Sequence, residues 1–291
     1  MLKPWQTFKQ LNVPIRDVNY DKPFYIHMIG DQHYGGDSFC YKTEKHWIKR
    51  WKKSFDNGES YAIQHGDLFE NFRITDQIAI FHALPEKSRK TLRDAVVDVC
   101  NETIDRLKFM YKRILGVIEG NHGCWITTNV QTVDQYFSEK MKAPWGGGFA
   151  FMTLRVYLPD GKHIDIKGCA THGKGGSMVY RGTNLNNVEK INRFVPNVHF
   201  ISAGHTHNPA FAPNTMLDFG WKKESRSQTT QLIRVASWRT NYNNNQEDYA
   251  VGLSPTCLDM PWLKITMRKD GKDRWFDMQY NMENKMRQVG M

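Results

Sequence analysis

Five times before residue 208 a short apolar run breaks off into a polar cluster, and this rhythm constrains the fold more than any other feature. The runs cover residues 24–29, 61–63, 114–118, 164–170 and 198–203. Each reads as a buried strand bounded by turn-forming residues. They end in Gly30-Asp31-Gln32-His33, Gly66-Asp67, Gly120-Asn121-His122, Thr171-His172-Gly173 and Gly204-His205-Thr206-His207. Helical patterns lie between them. Thr43 is placed to cap a helix running through Phe55, with Trp47, Ile48, Trp51 and Phe55 on one face and Gly58 just past its end. Further apolar spacings of three and four predict helices over 88–112, 129–141 and 184–194. Strands alternating with helices place the chain in the α/β class. The second half adds a hairpin from 149–158 to 163 onward through Asp160-Gly161. Strands are expected near 229–237, 262–268 and 274–280, with a polar loop at 241–248.

No internal repeat or Pro/Gly/Ser linker divides the 291 residues, so a single domain over 1–291 is expected. No apolar run approaches the roughly 18 residues of a membrane span, and the N-terminal residues have no signal-peptide core. Cys40, Cys100, Cys124, Cys169 and Cys257 are scattered, odd in number and without a C-x-x-C pair. That usage fits a reducing cytoplasm rather than a disulfide framework or a zinc knuckle. A formal charge of +10 favours polyanionic partners, although it describes a field and not a site.

The chemistry collects where the strands end. In open α/β sheets ligands bind outside the carboxyl ends of strands. Five such ends deliver Asp31, His33, Asp67, Asn121, His122, His172, His205 and His207 to one sheet edge. Oxygen and imidazole donors of this kind suit borderline divalent metals. Eight are too many for one ion but suit two. Two cations about 3.5–4 Å apart need an anionic bridge, which a carboxylate such as Asp67 can supply. Asp31 and His33 stand two apart, so in extended chain their side chains point the same way, and His205 and His207 repeat that spacing. The adjoining glycines let the backbone turn and approach closely.

The ordered set D-x-H, G-D, G-N-H, a lone H and G-H-x-H over residues 31–207 resembles the calcineurin-like metallophosphoesterase superfamily. The resemblance implies a β-sandwich of mixed sheets flanked by helices, in α/β/β/α layers. It implies that Asp31, His33, Asp67 and His207 hold one metal, and that Asp67, Asn121, His172 and His205 hold the other. Two divalent ions are implied as cofactors, Mn²⁺ being the usual one, with Fe, Zn²⁺ and Ni²⁺ also compatible with the donors. A metal-activated water would attack phosphorus in line. His122 would stabilise the transition state or protonate the leaving oxygen without binding metal. Position 123 departs from the pattern: glycine stands where the family usually has an acid, with Glu119 and Glu70 as candidate replacements.

Outside the motifs, Lys174 in the loop Gly173-Lys174-Gly175-Gly176, together with Tyr180 and Arg181, is a candidate phosphate contact. A flexible turn accounts for that loop equally well. Lys45, Lys49, Lys52 and Lys53 flank the apolar face of the first long helix, and 264–274 forms a second basic cluster beside Trp275 and Phe276. Both patterns suit nucleic acid, and both also arise on ordinary solvated surfaces. His27, His46, His82, His163 and His199 carry no motif, and His65 reads as a hydrogen-bonded structural residue. Three functions share the ligand set. The first is a phosphodiesterase with nucleic acid as substrate, supported by the charge and by a faint likeness of Gly66-Asp67-Leu68-Phe69 to the double-strand-break repair nucleases of the superfamily. The second is a phosphomonoesterase acting on nucleotides or phosphoproteins. The third is a non-catalytic scaffold, like the retromer subunit of this fold.

Overall fold

The computed structural model describes residues 8–36, 39–70, 83–122, 125–127, 131–173, 181–219, 225–239 and 260–282; of these, 125–127, 181–184, 217–219 and 225–226 are described as backbone only. Val130, Gly123, Cys124, Lys174, Ser177, Tyr180, Cys257 and the loop at 241–248 lie outside the described residues.

In chain order the strands and helices are β1 (Phe8–Ile15), β2 (Pro23–Ile29), α1 (Tyr41–Asp56), β3 (Ser60–Gln64), α2 (Glu86–Leu107), β4 (Ile114–Ile118), β5 (Trp125–Thr127), β6 (Gln131–Thr132), α3 (Val133–Lys140), β7 (Trp145–Gly147), β8 (Phe149–Tyr157), β9 (His163–Thr171), α4 (Arg181–Phe194), β10 (Phe200–Ala203), β11 (Ala210–Phe219), β12 (Ser225–Arg234), β13 (Trp262–Asp270) and β14 (Asp273–Asn281). A single 3₁₀ turn, Lys108–Met110, extends α2. Two six-stranded mixed sheets form, in the orders β1-β8-β9-β10-β12-β11 and β14-β13-β2-β3-β4-β7. Within them β9, β10 and β12 are mutually parallel, as are β2, β3, β4 and β7.

The sheets pack face to face. Leu11, Val13, Ile26, Met28, Ile63, Ala150, Met152, Leu154 and Ile166 are all buried in the main core. On the far side of the second sheet Trp47, Trp51 and Phe55 of α1 close around His27 of β2. A smaller core, Cys169, Val188, Ile201, Ala203 and Leu232, lies between the first sheet and α4. The result is the expected helix–sheet–sheet–helix layering, an α/β architecture. No helix among the described residues is long and apolar enough to cross a membrane.

Two local expectations need correction. Thr43 does not cap α1: the helix begins at Tyr41, and the Thr43 hydroxyl donates to Cys40 Sγ at 3.1 Å. The helix expected over 129–141 is Val133–Lys140, capped instead by Thr132, whose hydroxyl oxygen accepts from the Gln135 amide. β1 and β11 lie outside the strands expected from the sequence, and both are edge strands. Pro14 and Pro213 fit there, since an edge leaves one set of backbone amides unpaired.

Candidate metal centre

The parallel strands β2, β3, β4, β9 and β10 all point their carboxyl ends to the same edge of the sandwich, and the eight motif residues gather there. Five of them are not in extended chain. Asp31, His33, Asp67, His205 and His207 have φ of 51°, 55°, 48°, 75° and 56°. Non-glycine residues pay about 1 kcal/mol or more for this left-handed conformation. It therefore replaces the alternation expected for Asp31/His33 and His205/His207. The turns are held by backbone pairing, with Asp31 N donating to Gly66 O and His33 N to Asp67 O, both at 3.0 Å. Two glycines make the approach possible: a Cβ on Gly66 would lie 2.5 Å from Gly120, and one on Gly120 would lie 2.1 Å from Asp67 N.

Two groups of donor atoms result, Asp31–His33–His207 and Asp67–His172–His205, each compact enough to hold an ion. In the first, His33 Nε2 and His207 Nε2 are 3.2 Å apart, and Asp31 Oδ1 is 3.6 Å from His207 Nε2. The Asp31 carboxylate also accepts from the His205 amide at 2.8 Å. In the second, His172 Nε2 is 3.1 Å from Asp67 Oδ2 and 2.7 Å from Asn121 Oδ1, while His205 Nδ1 is 2.8 Å from the same Asn121 oxygen. Asn121 thus joins the second group. Asp67 also acts on the first, since its charge opposes the loss of the proton from both His33 and His207.

The donors fit divalent cations. His172 Nδ1 is 2.7 Å from the His65 carbonyl, which can only accept, so Nδ1 carries a proton and Nε2 faces the group. His65 is fixed in turn: its Nδ1 faces the Ile29 and Ile63 carbonyls and its Nε2 lies 2.7 Å from Ser202 Oγ. Burial pushes His65 down to about 4, so it stays neutral, a structural histidine as expected. Burial, with Asp67 beside it, pushes the Asp31 carboxyl up to about 7 against the pull of His172. Burial also opposes the Asp67 charge, but His172, His33 and His122 outweigh it and hold this carboxyl well below its ordinary value. Burial works against His172 too, yet Asp67 and Asp31 push it up to about 9. This much buried negative charge is what a cation would neutralise.

His122 stands beside the first group, with only 9% of its surface exposed. Its amide donates to Asp67 Oδ1 at 2.8 Å, and its Nδ1 is 3.1 Å from Glu70 Oε1. The other Glu70 oxygen lies 2.6 Å from His33 Nδ1 and 3.2 Å from the guanidinium of buried Arg239. His33, Glu70 and His122 are themselves close enough to hold an ion. The Arg239 charge disfavours a cation there, so this trio acts as a clamp in which the Glu70 carboxylate lies against both rings. Of the two candidates for the acid absent at position 123, Glu70 therefore reaches His122. Glu119 bonds instead with Thr132.

Several supporting residues carried no motif. Asp134, buried in the first turn of α3, accepts from Gly120 N at 2.9 Å and so pins the start of Gly120-Asn121-His122. Arg234 donates to Gly204 O at 2.8 Å, and Ser237 Oγ donates to Asp31 O at 2.6 Å. The legible signal was charge inside an apolar run, since Arg234 and Arg239 bracket Val235-Ala236-Ser237-Trp238. Of the candidate phosphate contacts, Lys174 and Tyr180 lie outside the described residues, and Arg181 opens α4 with only its backbone described.

Strand order, layering and the paired clusters at one edge make a two-sheet α/β sandwich with candidate dinuclear metal sites, in keeping with the resemblance to the calcineurin-like metallophosphoesterases. No family model and no curated protein matches the chain. Among solved structures it is similar to a Streptococcus pneumoniae protein described as a predicted phosphoesterase, at 11% identity and TM-score 0.33, covering 89% of this chain and 99% of that one. Vacuolar protein sorting 29 of Cryptosporidium parvum matches at 10% identity and TM-score 0.39, over 90% and 100%. A Thermotoga maritima protein solved by NMR matches at 16% and 0.30, over 88% and 98%. At these values the likenesses add nothing to what strand order and side-chain geometry establish.

Proposed function

We propose that this chain is a two-metal phosphodiesterase acting on nucleic acid. The observation that carries the reading is the convergence of Asp67, Asn121, His172 and His205 beside Asp31, His33 and His207. Asp67, a donor of the second group whose charge also acts on His33 and His207, would be the ligand shared by both ions. Bound there, two divalent ions, Mn²⁺ in the first instance, would neutralise phosphate charge and supply a water of lowered pKa.

The chain's own residues do the rest. Glu70 accepts at Nδ1 of His122 and fixes the ring, which leaves Nε2 to exchange a proton with the leaving oxygen. Asp67 and Asp134 hold the backbone on either side of Asn121, so ligand and acid are set in one rigid turn. The same Glu70 grips His33, which couples the acid to the first metal group. The charge of +10 favours a polyanionic substrate.

The test is turnover with added Mn²⁺ on bis-para-nitrophenyl phosphate, on the corresponding monoester, and on single- and double-stranded DNA and RNA. The diester and at least one polymer should be hydrolysed. Hydrolysis of monoesters alone would make the protein a phosphomonoesterase, and no hydrolysis with both ions bound would make it a scaffold.

A further inference from the structure

Helix α1 carries a charged surface that the metal chemistry does not use. Trp47, Trp51, Phe55 and Glu44 are buried on one face. On the opposite face Lys42, Lys45, Lys49, Lys52 and Lys53 are exposed, with Arg50 beside them. The exposed carboxylate of the helix is Asp56 in its last turn, 2.8 Å from Lys52 Nζ. Lys42, Lys45, Lys49 and Lys53 are spaced by three, four and four residues, so they form a row along the axis about 16 Å long. α2 shows what an ordinary solvated helix of this protein looks like. Its acids Glu86, Asp94, Asp98, Glu102 and Asp105 balance Lys87, Arg89, Lys90, Arg93 and Arg106.

The helix that carries the row is tied at its N-terminal end to residues around the metal centre. Cys40 N donates to Trp238 O at 2.8 Å, and Phe39 pairs with Arg239, whose guanidinium contacts Glu70. In the first turn Glu44 takes the hydroxyl of Tyr34, the neighbour of His33. At the head of the row Tyr41 is 55% exposed, with the Arg106 guanidinium 4.8 Å from its ring. Cations spaced along a line with an aromatic ring at one end match the needs of single-stranded nucleic acid, whose phosphates are tracked and whose bases stack.

We propose that the solvent face of α1 is a docking track for a single nucleic-acid strand, leading it to the metal centre with a base stacked on Tyr41. The proposal rests on the nucleic-acid reading above, and its test separates the two. Binding of a fluorescein-labelled 20-nucleotide single strand by the full chain is measured by anisotropy in EDTA across a salt series. A Lys42→Glu/Lys45→Glu/Lys49→Glu variant should bind about 30-fold or more weakly at low salt. Its salt slope should fall by about 2, since each phosphate contact on a single strand contributes about 0.7. Tyr41→Ala should weaken binding about tenfold with the salt slope unchanged.

Turnover of bis-para-nitrophenyl phosphate should stay within about twofold of the parent in both variants, because none of these residues touches the metal groups. The corresponding Lys→Gln triple variant replaces the Glu variant if the latter does not fold. Wild-type affinity and slope in the charge variants would overturn the track even if the protein cleaves DNA. Tighter binding of duplex, or of phosphatidylserine vesicles, lost in the same variants, would overturn the choice of partner. Loss of strand binding in a protein that never hydrolyses the diester would leave the track standing and sink the phosphodiesterase.

Discussion

The two ligand groups stand side by side yet solve the problem of buried charge differently. Asp31, His33 and His207 are almost wholly out of water. Burial pushes His33 below its ordinary value and His207 well below it, so both rings are neutral and ready to ligate. In the second group Asn121 is exposed and His205 half-buried. There Asp67 and His172 form an ion pair, and the His172 charge occupies electrostatically the place a cation would take. The first group can accept an ion near neutral pH without losing an imidazole proton, giving up only what proton the Asp31 carboxyl holds. The second must release one from His172. Two sites built from the same residue types should therefore differ in affinity and in pH dependence.

The largest break in this comparison is Asp67→Ala, which removes the carboxylate acting on both groups. It should abolish binding of the second ion, weaken the first, and lower turnover by more than about 10³-fold, as read by metal titration and diester hydrolysis. His122→Ala comes next: both ions stay, and turnover falls by about 10²–10⁴. Unchanged turnover would refute the role given to this ring.

Glu70→Gln sharpens the comparison, because Glu70 touches His33 and His122 but no ligand of the second group. Affinity at the first site should fall by about 10–100-fold, with the second within about twofold. Equal loss at both sites would show that the groups are not separable.

The smallest effect is on stability. His172 holds its proton up to about pH 9 in the folded chain against 6.5 in the unfolded one, so its contribution is lost as pH rises through that interval. Asp31 and Asp134, both pushed up to about 7, act in the same direction below pH 7. The buried rings of His27, His65 and His205, pushed down to about 3, 4 and 4, act the other way, but only below pH 6.5. The melting temperature of the metal-free protein should thus fall by several degrees from pH 7 to pH 9. With Mn²⁺ the fall should vanish, since loss of the His172 proton then strengthens binding. A metal-free protein whose melting temperature holds or rises over that range would contradict the ion pair.

The parallel strands and their terminal motifs were legible because burial on both faces writes continuous apolar runs, and each run ends where the chain must turn. The edge strands β1 and β11 stood out less: β1 alternates at Leu11, Val13 and Ile15 but ends in no motif, and Pro213 interrupts the mixed composition of β11. Periodicity could gather Asp31, His33, His205 and His207 but misjudged their backbone, because a left-handed turn leaves no mark on non-glycine residues. Glu70 was legible as a candidate for the acid missing at position 123, but the rest of its surroundings was hidden for another reason. Asp134 and Arg239 are charged residues that read as surface until the fold buries them against partners 14 and 169 positions away.

Crystals of the full chain grown with Mn²⁺ and measured at the manganese edge address the central claim most directly. Two anomalous peaks about 3.5–4 Å apart, with the Asp67 carboxylate between them, are the expected result. A single peak, or two with Asp67 on one alone, would contradict the shared bridge on which the proposed chemistry depends.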